Sequence, residues 1–231
     1  MLKTPLIFLM LLGIFAPAVA AEEETNVDPL EPFNRKIHAF NDFADQKVLK
    51  PVAKGYRKVT PQFLRNRIGS VFDNLKDVNN AVNNVLQGKF KAGTSDVGRL
   101  LINTTIGLGG LWDPATRMGL GKHEEDWGQT FAVWGIPDGP YLVLPFLGPS
   151  SFRNAASRPF NSTLDPLFYL HPSDHRNTLY MIRVIDDRAG LLEAEKAVFG
   201  DKYIFYREAY LQRREYLVKD GEVSDPFAED F

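Results

Sequence analysis

Serines, histidines and carboxylates are the residues of this sequence that could do covalent or metal chemistry. A hydrolase nucleophile of the Gly-x-Ser-x-Gly type is held at a sharp strand-to-helix turn. The nearest stretches, Gly93 to Gly98 around Ser95 and Gly148 to Phe152 around Ser151, lack that spacing and read as a helix cap and a turn. His171 and His175 stand four apart with Asp174 between them, the spacing of paired zinc ligands on a helix. Pro172 discourages helical geometry at His171, and no cysteine or further histidine is close in sequence to complete a tetrahedral set. Gly107 and Gly109 open a dinucleotide-like loop, but the third glycine and a preceding strand are missing. Asp28, Glu31, Asp113 and Asp126 sit at helix starts and turns, where carboxylates suit the helix dipole. No enzyme activity, metal or cofactor is expected.

The feature that remains is physical rather than catalytic. Residues 126 to 153 hold Trp127, Phe131, Trp134, Tyr141, Leu142, Leu144 and Phe146 among glycines and prolines, including Gly135, Gly139 and Gly148. Proline and glycine exclude an ordinary helix or central strand, yet the stretch is too apolar for a solvated loop. It reads as two short apolar arms around a turn at residues 137–140, Pro-Asp-Gly-Pro. Such a hairpin needs a core or a lipid surface to rest on, since Trp and Tyr favour the bilayer interface.

The surrounding elements read as helices. Phe33, Ile37, Phe40, Ala44 and Val48 share one face of a first helix that begins near Pro32 and ends or bends at Pro51. After Pro61, a stripe from Leu64 to Leu86 runs over six turns. The opposite face carries Asn79, Asn80, Asn83 and Asn84, neutral amides that either meet solvent or line a wet channel for lipid head groups. Thr94 is placed as the cap of a third helix, Asp113-Pro114 starts another, residues 161–172 are turn-rich, and helices over 177–189 and 203–219 close the fold. The fold class is mainly α. An apolar stripe that faces lipid looks, in sequence, like one that faces a core.

Composition narrows the rest. The chain has 231 residues, 44% hydrophobic and 24% charged, with net charge −2. That balance provides no basic field for nucleic acid and no polybasic lock onto anionic lipid. Residues 1–20, with Lys3, an apolar run and Ala18-Val-Ala20, read as a cleaved secretory signal peptide, and the run is too short to span a bilayer. Residues 21–27 read as an acidic tether, 28–221 as one helical domain and 222–231 as a mobile acidic tail.

Many separated motifs in one order resemble the MlaA (VacJ) family: Asp28 to Arg35, Phe40-Asn41, Pro51, Tyr56, Asn83 to Gly88, Arg99 to Asn103, Gly109-Gly110, Asp113, Asp126, Gly128 to Thr130, Gly139 to Tyr141 and Leu144-Pro145. The resemblance runs from about Asp28 to about Gly221. It implies a ring of amphipathic helices in the inner leaflet of the outer membrane, with an amphipathic channel that removes phospholipid strayed into the outer leaflet. It also implies outer-membrane porin trimers and a periplasmic MlaC-like lipid carrier as partners. The sequence contains no cysteine, so it departs from the family's acylated members, and no lipid anchor is expected. On this reading Trp127, Phe131, Trp134, Tyr141, Leu142, Leu144 and Phe146 contact membrane or gate the channel, Gly135, Gly139 and Gly148 let the hairpin move, and Asn79, Asn80, Asn83 and Asn84 supply the polar path. The alternative is a soluble periplasmic lipid-binding or scaffold protein whose apolar faces are internal.

Overall fold

The computed structural model describes residues 28–222; the expected signal peptide 1–20, the expected tether 21–27 and residues 223–231 of the expected tail lie outside them. Helix α1 (Glu31–Ala44) passes through a π-helical turn at residues 45–49 into α2 (Lys50–Val59). The cause is Pro51, whose ring clashes with the carbonyl four residues back and which donates no hydrogen bond. A wider turn absorbs the misfit, so the helix continues rather than ending. Arg188 fixes this turn from across the fold, its Nε and Nη2 donating to the Asp45 carboxylate at 2.7 and 2.8 Å.

Helix α3 (Gln62–Leu86) packs along α4 (Phe90–Thr105). Their seam is polar. Asn74, Asp77, Asn80, Asn83 and Asn84 of α3 and Asp96, Arg99 and Asn103 of α4 are all buried. Thr94 lies inside α4 rather than capping it, its hydroxyl donating to the Phe90 carbonyl. The short α5 (Pro114–Arg117) starts where expected, with Asp113 accepting from the Thr116 N–H.

The stretch from 126 to 153 differs from its expected form. Residues 127–133 make a short helix, α6 (Trp127–Val133), capped by Asp126. The 137–140 segment links this helix to strand β1 (Tyr141–Leu144) and is not the hairpin turn. The chain reverses at residues 145–147 into β2 (Gly148–Ser151), with Tyr141 opposite Ser151 and Leu144 opposite Gly148. A four-residue arm is too short to show alternation, and β2 is Gly-Pro-Ser-Ser, so neither strand carries a sequence signal.

Ser151 caps α7 (Phe152–Leu164), which contains Pro159 and starts inside a region expected to be hairpin and turn. Helices α8 (Ser173–Leu191) and α9 (Lys202–Val218) complete the fold. Residues of α3, α7, α8 and α9, with the hairpin, line a cavity of about 570 Å³, hereafter the central cavity.

Burial is inverted relative to a water-soluble domain. Among the described residues ten hydrophobic side chains are buried, four of them alanines, against sixteen buried polar or charged ones. Large apolar side chains lie outside instead, with Phe146 76 % exposed, Val59 78 % and Phe199 82 %. On α3, Leu64, Val85 and Leu86 are exposed while Asn74, Asn80, Asn83 and Asn84 are buried, with Phe72 and Ala81 the apolar exceptions.

Candidate functional site: a polar cavity beneath a clamped hairpin

The central cavity is walled by Leu75, Lys76 and Asn79 of α3, Leu147, Pro149 and Ser150 of the hairpin, and polar residues of α7, α8 and α9. Most of its charges are paired. Arg183 donates to Asp165 at 2.7 Å. Arg214 donates through Nη1 and Nη2 to the two Asp126 oxygens at 2.5 and 3.1 Å, and through Nη2 to Asn154 Oδ1 at 2.7 Å. Burial works against the Arg214 guanidinium, but the Asp126 bonds outweigh it and its pKa is raised. Asn154 in turn donates to the Tyr210 hydroxyl at 2.7 Å. Gly128 is required beside this cluster, because a β-carbon there would overlap Asn154 Oδ1.

Arg158 stands apart. Among the described residues no carboxylate lies within 4 Å of it, and its buried Nε has no hydrogen-bond partner. Burial lowers its pKa. Across the cavity, burial raises the Asp187 carboxyl, with Lys76 and Arg183 working against the shift. A half-buried, unpaired guanidinium in a polar cavity is the group best suited to take a phosphate, which it can bind in a bidentate fork.

The hairpin leans over the cavity and is held by helix α1. Asn34, fully buried, donates to the Tyr141 carbonyl at 3.0 Å and accepts from the Val143 N–H at 2.9 Å. Seven residues on, Asn41 repeats the pattern, donating to the Leu144 carbonyl at 2.9 Å and accepting from the Phe146 N–H at 2.8 Å. Each side-chain amide thus pairs with β1 as a neighbouring strand would, satisfying an edge that otherwise has no partner. The two Phe-Asn dipeptides, at 33–34 and 40–41, were a visible signal for this clamp. Arg158, Arg214 and Asn154 had no such signal, since their setting depends on five separate elements.

The expected site residues fall into distinct groups. Trp127, Phe131, Trp134 and the unforeseen Phe160 form one aromatic cluster, with ring centroids 5.3 to 6.1 Å apart. Trp134 is exposed and Trp127 and Phe131 are half-buried. Phe146 projects outward against Phe40, centroids 5.1 Å apart. Leu142 and Leu144 are half-buried. Tyr141 points inward, 2 % exposed, and packs on Tyr203 and Tyr210, so no outer surface is available to it. Gly135, Gly139 and Gly148 all have positive φ. They set left-handed turns, a backbone conformation that favours glycine.

Of the four asparagines expected on the polar path, Asn79 reaches the wall of this cavity. Asn84 donates to Asp96 at 2.9 Å, Asn83 accepts from the Thr130 hydroxyl at 2.7 Å, and Asn80 accepts from the Glu125 N–H at 3.2 Å. These three cross-link α3 to the elements packed on it, because a buried amide must be paired within the protein, and Asn84 also lines a second, larger cavity of about 1560 Å³ beside Lys89 and Glu125. Ser95 bonds the Gly121 carbonyl and Ser151 bonds Asp138, positions unlike those of an activated nucleophile.

A family model described as MlaA lipoprotein matches residues 26–217. An intermembrane phospholipid transport system lipoprotein MlaA of Escherichia coli K12 is 32% identical, over 87% of this chain and 82% of that protein. A protein of Rickettsia bellii is 37% identical, over 83% of this chain and 77% of its own length. A solved structure, described as the structural basis for maintenance of bacterial outer membrane lipid asymmetry, superposes with a TM-score of 0.72. It is 34% identical and covers 83% of this chain and 98% of that one.

Proposed function

The chain belongs to the MlaA lipoprotein family, and from that membership we propose that it removes mislocalised phospholipid from the outer leaflet of the outer membrane. The lipid passes through the central cavity to a periplasmic carrier, and outer-membrane lipid asymmetry is maintained. The observation that carries this reading is the inverted burial: apolar side chains outside, amides and charges inside. In water that arrangement exposes far more large apolar surface than a monomer tolerates. In hydrocarbon it is the stable one, because polar groups must then find partners within the protein.

No described helix is long and apolar enough to cross a membrane. The amphipathic helices instead suit an orientation along the bilayer, apolar face in lipid. A sixteen-carbon chain costs roughly 12 kcal/mol to expose to water. Acyl tails therefore stay on the apolar exterior while the head group moves through the polar cavity. Arg158 would take the phosphate and the hairpin would gate the mouth. We place the protein in the periplasmic leaflet after export with cleavage near Ala20, docked on porin trimers and delivering to an MlaC-like carrier. The soluble alternative requires internal apolar faces, and the exposed phenylalanines and valines weigh against it.

A strain deleted for the gene tests the proposal, with outer-leaflet phosphatidylethanolamine read by a membrane-impermeant amine label. Labelling should rise on deletion and return to baseline with the wild-type gene. Unchanged labelling on deletion would remove the proposal.

A further inference from the structure

The near-neutral net charge conceals a strong local segregation. Residues 46–72 carry seven Lys or Arg and no Asp or Glu. The structure spreads the first five along one helix. On its inner side α2 buries Ala53 against Ala189 and Leu192. Its outer side is apolar, with Val48 64 %, Val52 45 % and Val59 78 % exposed. Lys54 and Lys58, one turn apart, are exposed along a groove they share with Glu193 and Glu195, and Lys47, two turns earlier than Lys54, is exposed too. Among the described residues no carboxylate lies within 4 Å of these three ammoniums. Lys50 and Arg57, by contrast, are paired with Glu195 and Glu193 at 2.7 and 2.8 Å. The acid groups in this region are thus already matched, and the remaining charge is positive.

We propose that α2 is an anionic-lipid contact: its valines lie in the acyl region and Lys47, Lys54 and Lys58 hold the phosphates of acidic phospholipids in the leaflet that carries the protein. The inference rests on the reading that the apolar exterior faces lipid, and adds to it which lipid is preferred and where. A helix with a basic stripe beside an exposed apolar face is the pattern of a membrane-surface helix. Lysine stems reach along apolar surface while their heads stay at the polar boundary. A protein partner would be expected to favour aromatic and Arg anchors, since lysine is depleted at such interfaces.

The test uses the full chain, purified in a neutral detergent and diluted into preformed vesicles, with recovery by flotation. One set of vesicles is zwitterionic and the other contains about one third phosphatidylglycerol. Wild-type recovery should be about tenfold higher on the anionic set, a preference that roughly 0.5 M salt abolishes. The triple variant Lys47→Gln, Lys54→Gln, Lys58→Gln should recover equally on both sets, and the corresponding triple Arg variant should keep the preference. Equal wild-type recovery on both sets overturns the proposal, as does a preference that survives the Gln variant. Loss of porin co-purification by the Gln variant with an unchanged vesicle ratio overturns it in favour of protein docking. Recovery on neither vesicle set would instead sink the lipid-facing exterior itself.

Discussion

Arg158 and the carboxylates of the polar interior show what burial does to single residues. If Arg158 takes the lipid phosphate, Arg158→Gln should cut phospholipid removal about tenfold, in line with losing one charge-assisted contact. Its melting temperature should change little, because the guanidinium has no carboxylate to abandon. Amine labelling at wild-type level in this variant would rule the contact out. Asp77 makes a prediction about pH. Burial pushes its carboxyl up to about 6, and Arg99 and Lys122 nearby work against the rise. An acid with its folded pKa above its ordinary 3.8 binds the proton more tightly when folded. Stability is therefore lost as pH rises from about 4 to about 6 and stays lower above that. Asp77→Asn should flatten the melting temperature across that window, whatever it costs overall by taking a carboxylate from the buried Arg99, 3.5 Å away. Burial raises Asp96 and Glu125 too, so a weaker slope of the same sign should remain.

The hairpin and helix α1 behave as one mechanical element. Asn41 contributes two of the bonds that hold the hairpin, one to β1 and one to its turn at Phe146, each worth about 1 kcal/mol. Asn41→Ala should loosen the hairpin, giving faster amide exchange at Phe146 and altered lipid removal while the α3–α4 seam stays protected. Slow exchange at Phe146 in that variant would show that the clamp is elsewhere. Gly139→Val should act in the opposite sense, by strain. Gly139 has φ of 70°, and a β-carbon there would come within 2.9 Å of Phe152 Cβ. The expected cost is roughly 2 kcal/mol, measurable as reduced thermal stability with impaired transport. Sequence periodicity located α1, α3, α8 and α9, each long enough to repeat its pattern over several turns. It missed α7, where Pro159 and a run of small polar residues mimic a turn-rich loop.

At the scale of the molecule, the inverted burial predicts where the protein partitions. It should remain with isolated outer membranes through an alkaline wash, since apolar lipid contact holds it even where charge contacts are lost. Release into the periplasmic fraction would contradict the embedded ring. Brominated phospholipids provide a finer check. Trp134 is 53 % exposed and Trp112 42 %, whereas Trp127 is half-covered by Phe131 and Phe160. Quenching should fall more on Trp134→Phe than on Trp127→Phe.

Helix spacing, the aromatic stretch and the ordered motifs determined a mainly helical member of one family from sequence alone, because they are local or additive along the chain. Which face of each helix points inward was decided only in the tertiary structure. A stripe of valine and leucine at helical spacing is the same pattern whether it meets a core or a bilayer. The difference lies in what the opposite face touches, and for α3 that is Asp96, Arg99 and Thr130. Those partners come from distant parts of the chain, and so does the pairing that leaves Arg158 alone in the cavity.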